Sequence, residues 1–193
     1  MSDTKEDVKA QFLDGQILIA MPDMQDPRFA RSIVYLCAHS EDGAMGLIVN
    51  KVIDDLNWKD LFNKIDIPIG SANGPKQICF GGPVDIERGF LLHSSDYHSE
   101  GATLKVSDDI SMTATIEILQ DIAMGRGPEQ VALTLGYAGW AAGQLEAELQ
   151  MNGWLLCDAD ETLLFDADYD AKWDRALAKL GISPAMLSSG GHA

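Results

Sequence analysis

LIAMPDMQDPRFARSIVYLCAHSEDGAMGLIVNK, residues Leu18–Lys51, decides the fold. Two apolar, β-branched runs, Ser32–His39 and Ala44–Asn50, flank Ser40-Glu41-Asp42-Gly43. Runs of that length bounded by Gly, Pro and Asp read as strands, and the short polar separator reads as a hairpin turn. A third run, Gln16–Ala20, enters the loop that holds Pro22 and Pro27. The stretch also brings Arg28, Arg31, Cys37 and His39 close together in sequence.

Further strands are expected at Gly89–Ser94, Thr103–Val106, Gln130–Tyr137, Trp154–Cys157 and Thr162–Phe165. Helical spacing interrupts them. Asn57 can cap Trp58–Ile65, with Trp58, Leu61, Phe62 and Ile65 on one face. Ser111 or Thr113 can open a helix through Met124, with Ile116, Leu119, Ile122 and Ala123 inward. Gly143–Asn152 places Leu145 and Leu149 one turn apart. Asp168 or Asp170 begins a last helix with a Trp173–Leu177–Leu180 stripe and Lys179 near its C-terminal end, where a cation is favourable. Hairpins mixed with isolated helices argue an α+β fold rather than regular β-α alternation.

A chain of 193 residues fits one domain. Residues 1–14 read as a flexible N-terminal lead and 188–193 as a disordered tail. No apolar run approaches the ~20 residues of a membrane span. The opening MSDTKEDVKAQF lacks the apolar core of a signal peptide, so a cytoplasmic location is expected. Three widely spaced cysteines, Cys37, Cys79 and Cys157, argue against a disulfide framework. Without a Cys-x-x-Cys or His-x-x-x-His pair zinc is unsupported, and no cofactor of any kind is expected.

The net charge of −16 is unevenly spread: Gly127–Ala171 holds nine acids and no Lys or Arg. Phosphate neutralisation dominates nucleic-acid affinity, so such a surface argues against direct nucleic-acid binding. The plain role of the charge is solubility.

Cys37 and His39 are the sharpest chemical candidates. Two residues apart on a strand, they share a face with Tyr35. The Cα separation of ~6.5–7 Å is loose for a thiol–imidazole hydrogen bond. Cys37 as a small buried hydrophobe competes with a reactive or redox-sensing thiol and with a catalytic dyad. His93-Ser94-Ser95-Asp96 contains triad ingredients, but consecutive residues approach from the wrong directions, and a polar strand exit fits better. Gly81-Gly82-Pro83 matches no phosphate-loop spacing and reads as a tight turn. Gly136–Gly143, two aromatics among small residues, reads either as a recess for a ligand or partner peptide or as a crowded strand-to-helix junction. Arg28, Arg31 and Arg88 each adjoin a loop or turn, where they could form a basic binding spot. The alternative is that each pairs with a nearby acid such as Asp23, Asp26, Asp85 or Glu87.

Leu18–Lys51, together with FGGPVDIERGFLLH at Phe80–His93 and GYAGWAAGQLEAEL at Gly136–Leu149, resembles the YqgE/AlgH family of small bacterial proteins. The resemblance covers residues 15–187 as one domain. It implies a coiled, partly split, mostly antiparallel sheet flanked by helices. Family members commonly carry Cys and His at positions 37 and 39, with no established role. Val52 stands where the family usually has Pro, and Ala141 or Ala142 where it has Gly. The family's name comes from a proposed regulatory role in alginate production. The resemblance therefore implies a binding or regulatory module with a protein partner. The alternatives are a thiol-dependent hydrolase or redox-responsive protein using Cys37, and a transcriptional regulator.

Overall fold

The computed structural model describes residues 11–70 and 77–188. Of the expected lead (1–14) and tail (188–193), residues 1–10 and 189–193 lie outside these residues, whereas Leu13 is tied to His39 by a backbone N–H hydrogen bond and Ser188 ends a short helix. Among the described residues the strands are β1 (Gln16–Ala20), β2 (Ile33–Ser40), β3 (Gly43–Ile48), β4 (Ile78–Phe80), β5 (Val84–Ser94), β6 (Thr103–Lys105), β7 (Ile110–Thr113), β8 (Val131–Ala141) and β9 (Trp154–Asp158). The helices are α1 (Trp58–Lys64), α2 (Ile116–Ala123), α3 (Gln144–Gln150), α4 (Glu161–Phe165), α5 (Lys172–Lys179) and α6 (Pro184–Ser188). No helix among these residues is long and apolar enough to cross a membrane.

The strands run in the order β6-β7-β5-β8-β3-β2-β1-β9, and all these pairings are antiparallel. β4 lies off this path, parallel to β8. This is the α+β class, with one curled sheet. The partial split lies in β8. Its first half, Val131–Leu135, pairs with β5, while Ala138–Ala141 pairs with β3. Gly136 lies at the changeover with φ +73°, and a Cβ there would sit 2.3 Å from the Gly82 carbonyl oxygen. Gly82 is equally closed, at φ +153° with Tyr137 backbone 2.1 Å from a Cβ. Two glycines let the Gly81-Gly82-Pro83 turn pass against β8, so that turn is structural.

Three apolar clusters cover the sheet. On one face Ile17, Ile19, Tyr35, Cys37 and Leu47 pack against Leu163 and Leu164 of α4 and Trp173 and Leu177 of α5. The Trp173 indole N–H donates to the Ala20 carbonyl at 2.9 Å, tying α5 to β1. On the opposite face Leu18, Leu36, Ile48, Trp140 and Trp154 meet Leu145 of α3. The other half of the sheet packs Leu91 and Leu133 on Trp58 and Phe62 of α1 and Ile118, Leu119 and Ile122 of α2.

Asn57 caps α1 as expected, its side-chain oxygen accepting from the Asp60 N–H at 3.0 Å. Three expectations are corrected. Thr162–Phe165 is helical, because the Asp160 carboxylate accepts from the Leu163 N–H and starts α4. Ser111 and Thr113 belong to β7, and α2 starts at Ile116, which is exposed; Ile118 faces the core instead. The helix expected to be the last is α5; it starts at Lys172, later than Asp168 or Asp170, Leu180 is partly exposed rather than in its buried stripe, and the short α6 follows it. The strands at Ile78–Phe80 and Ile110–Thr113 are too short to carry a periodic signal.

Candidate functional site

The expected alignment of Cys37 with His39 does not occur. β2 carries a bulge: Leu36 pairs with Gly46 and Ala38 with Met45, leaving Cys37 as the extra residue. An added residue reverses the facing of everything after it. Cys37 stays with Tyr35 and Trp173, whereas His39 turns to the face covered by α3. Burial pushes the Cys37 thiol far up, and its sulfur sits 3.8 Å from the Tyr35 carbonyl. His39 is held on both sides. Its Nδ1 accepts from the Leu13 N–H at 3.0 Å, so the ring proton sits on Nε2 and is donated to Glu146 Oε1 at 2.7 Å. The ring fastens Leu13 to α3.

His93 is buried within a directed chain of hydrogen bonds. The Ser99 N–H donates to Thr103 Oγ1, Thr103 to Thr113 Oγ1, and Thr113 to His93 Nε2 at 2.8 Å. His93 Nδ1–H then donates to the Ser94 carbonyl at 2.9 Å. Burial lowers its pKa. Ser94 and Asp96 are bonded to each other and accept the N–H groups of Gln130 and Glu129, which locks the entry to β8. This is the polar strand exit, with the His93, Ser94 and Asp96 side chains all occupied.

Arg28 is chelated by Asp26, with Nε–Oδ1 at 3.0 Å and Nη2–Oδ2 at 2.6 Å. Asp26 thus stands where an incoming carboxylate would bind. Arg31 lies 4.2 Å from the Trp173 ring centroid and reaches Asp174 at 3.5 Å. Arg88 lies 5.2 Å from the Phe90 ring centroid, beside an open cavity of about 720 Å³ that also takes in Met45, Met112 and Tyr137. Arg28 lines a different recess.

That recess is a more enclosed cleft of about 490 Å³ between the Met21–Arg31 loop, the Pro83-Val84 turn and the β8–α3 junction. Its loop wall is held firmly. Asn50 accepts from the Ile33 N–H at 2.9 Å and donates to the Arg31 carbonyl at 2.8 Å, while Ser32 Oγ donates to the Phe29 carbonyl. The aromatic wall is Phe29, Trp140 and Trp154, with ring centroids 5.8 Å apart for Phe29–Trp154 and 6.1 Å for Trp140–Trp154. Glu148 organises it. One carboxylate oxygen, Oε2, accepts both indole N–H groups, Trp140 at 2.9 Å and Trp154 at 2.8 Å. Its other oxygen accepts from the Gln144 amide at 2.9 Å. The Gly136–Gly143 segment is the strand-to-helix junction that runs into α3, and Trp140 within it lines the cleft.

Among the described residues no group of three or more His, Cys, Asp or Glu side chains converges as a metal site. The other unusual titratable group is Lys172, fully buried. Its Nζ donates to the carbonyls of Leu164 at 3.1 Å and Val49 at 3.3 Å, and lies 4.6 Å from the Tyr169 ring centroid. Burial pulls its pKa down to about 8.

The AlgH-like family model matches residues 17–185 of this chain. The chain is 56% identical to a UPF0301 protein of Methylobacterium nodulans over 95% of its own length and 91% of that protein's. It is 52% identical to a UPF0301 protein of Rhodopseudomonas palustris, over 96% of this chain and 88% of the relative. The solution structure of AlgH from Pseudomonas aeruginosa superposes with a TM-score of 0.77 at 41% identity, covering 95% of this chain and 97% of that one. A protein of Corynebacterium diphtheriae shares the fold at a TM-score of 0.73, with 20% identity over 91% of each chain.

Proposed function

This chain belongs to the AlgH-like family, and we propose that it is a cytoplasmic binding module that takes a protein partner at the cleft between the Met21–Arg31 loop and α3. The cleft itself supports this reading most. A rigid loop, three aromatic side chains and a fixed carboxylate converge on a concave space within the ordinary size range of ligand sites. The thiol-enzyme reading fares worse: Cys37 is sealed in the core, and the bulge turns it away from His39. A general base must come within ~2.6–3.2 Å of its nucleophile. Direct regulation through DNA also fits poorly with a net charge of −16.

The test is recovery of partners from cell extract on immobilised protein, comparing the native chain with Met151→Trp. Met151 is 81% exposed and lines the cleft, so the larger ring obstructs it without touching the core. A partner held by the native chain and lost by the variant, at an unchanged thermal midpoint, is the expected result. Equal recovery would place the partner elsewhere.

A further inference from the structure

Glu148 sets the chemistry of the cleft. All three donors to its carboxylate, two indoles and one amide, are neutral, so its charge is oriented but not neutralised. Asp23 and Asp26 lie on the opposite wall, where Arg28 is the one cation among the described lining residues and is already chelated by Asp26. The α3 wall belongs to the Gly127–Ala171 stretch, which has no Lys or Arg at all. Three carboxylates against one arginine leave the site two charges negative beside an aromatic wall. Aromatic faces and unneutralised carboxylates together select cations. The cleft also shows how a cation sits there: the Arg28 guanidinium lies 5.9 Å from the Phe29 ring centroid.

Building on the binding function above, we propose that the occupant is a lysine or arginine side chain presented by a basic segment of the partner protein. The methylene stem of such a side chain lies along the apolar wall while its head meets the carboxylates. Met24 and Met151 line the cleft too, and unbranched, polarisable side chains adapt to a peptide backbone passing across them.

The experiment is titration of the labelled protein while following the indole N–H signals of Trp140 and Trp154. The probes are the capped peptide Gly-Ser-Lys-Arg-Gly-Ser, the same peptide with two norleucines or two glutamates at its centre, butylammonium, and neutral indole and benzamide fragments. The Lys-Arg peptide should shift both signals and bind about tenfold tighter than the norleucine peptide, weakening with salt. Glu148→Gln keeps an oxygen acceptor for the indoles and should reduce that affinity about fivefold while leaving the fold intact. Equal binding of the norleucine or glutamate peptide would overturn the cationic assignment and leave the cleft a binding site. Butylammonium binding as tightly as the peptide would overturn the peptide source. If no probe moves either indole signal, the binding function of the cleft falls as well.

Discussion

Cys37 and His39 leave the same strand toward opposite faces of the sheet. Cys37 is itself the bulged residue between Leu36 and Ala38, which keeps it beside Tyr35 and sends His39 against Glu146 of α3. Side-chain chemistry that needs both groups together has no geometry here.

Thiol reactivity follows from that burial. Cys37, Cys79 and Cys157 are all buried, and desolvation pushes Cys79 to about 12 and Cys157 to about 11. Native protein at neutral pH should resist iodoacetamide, and denaturant should release all three thiols, as counted by mass spectrometry. Fast native labelling of Cys37 would restore the redox reading.

Glu148 should matter to stability as well as to binding. Glu148→Ala strands two mostly buried indole N–H groups. An unsatisfied buried donor costs roughly 1–3 kcal/mol, so chemical denaturation should show a loss in that range with altered tryptophan emission. Glu148→Gln should lose far less.

Lys172 makes stability depend on alkaline pH. Its pKa falls from 10.5 unfolded to about 8 folded. The unfolded chain therefore binds the extra proton between those values, and stability rises with pH across that window. The full cost of burying the charge, roughly 3 kcal/mol for this shift, is present below about 8. Lys172→Met should thus be stabilising at neutral pH, less the loss of its two carbonyl contacts. Its advantage over the native chain should shrink as pH approaches 10.5. Parallel denaturation curves for the two proteins would contradict this.

His93 acts at the other end of the scale. Its folded pKa is depressed below 6.5, so the stability it lends is present above that value and declines as pH falls toward the folded pKa. The stability gap between the native chain and His93→Leu should narrow on acidification. Thr113→Val, which removes the donor to Nε2, should lower the thermal midpoint even where the ring is neutral.

Duplex DNA should not bind tightly at physiological salt. A gel shift with sub-micromolar affinity that weakens steeply with salt would contradict the charge argument.

The hairpin was legible because Ile33–Ser40 and Gly43–Ile48 are long, apolar and separated by a turn sequence. Asn57 announced α1 because a cap is a local bond. Local rules could not show the bulge at Cys37, since nothing in IVYLCAHS marks which residue is unpaired. Thr162-Leu-Leu-Phe looks like a strand by composition, and only the Asp160 cap makes it a helix. The cleft was half legible. Gly136–Gly143 marked the place of Trp140, but Phe29, Glu148 and Trp154 join it through contacts across 125 residues of chain, from 29 to 154. The arginines drew attention to the loops by their rarity. The structure shows Asp26 occupying Arg28, and the loop's contribution to the cleft is aromatic and acidic as well.

Because β8 serves as the common partner of β3 and β5, a ribosome making this protein must pass residue 141 before either half of the sheet has its central neighbour. Until then the β2–β3 hairpin carries an unpaired flank that β8 will later cover. β1 waits longer still for β9, whose sequence begins at Trp154. Sheet completion is therefore a late event of synthesis, and a nascent chain arrested before β8 exposes strand edges of the kind that chaperones or neighbouring chains engage.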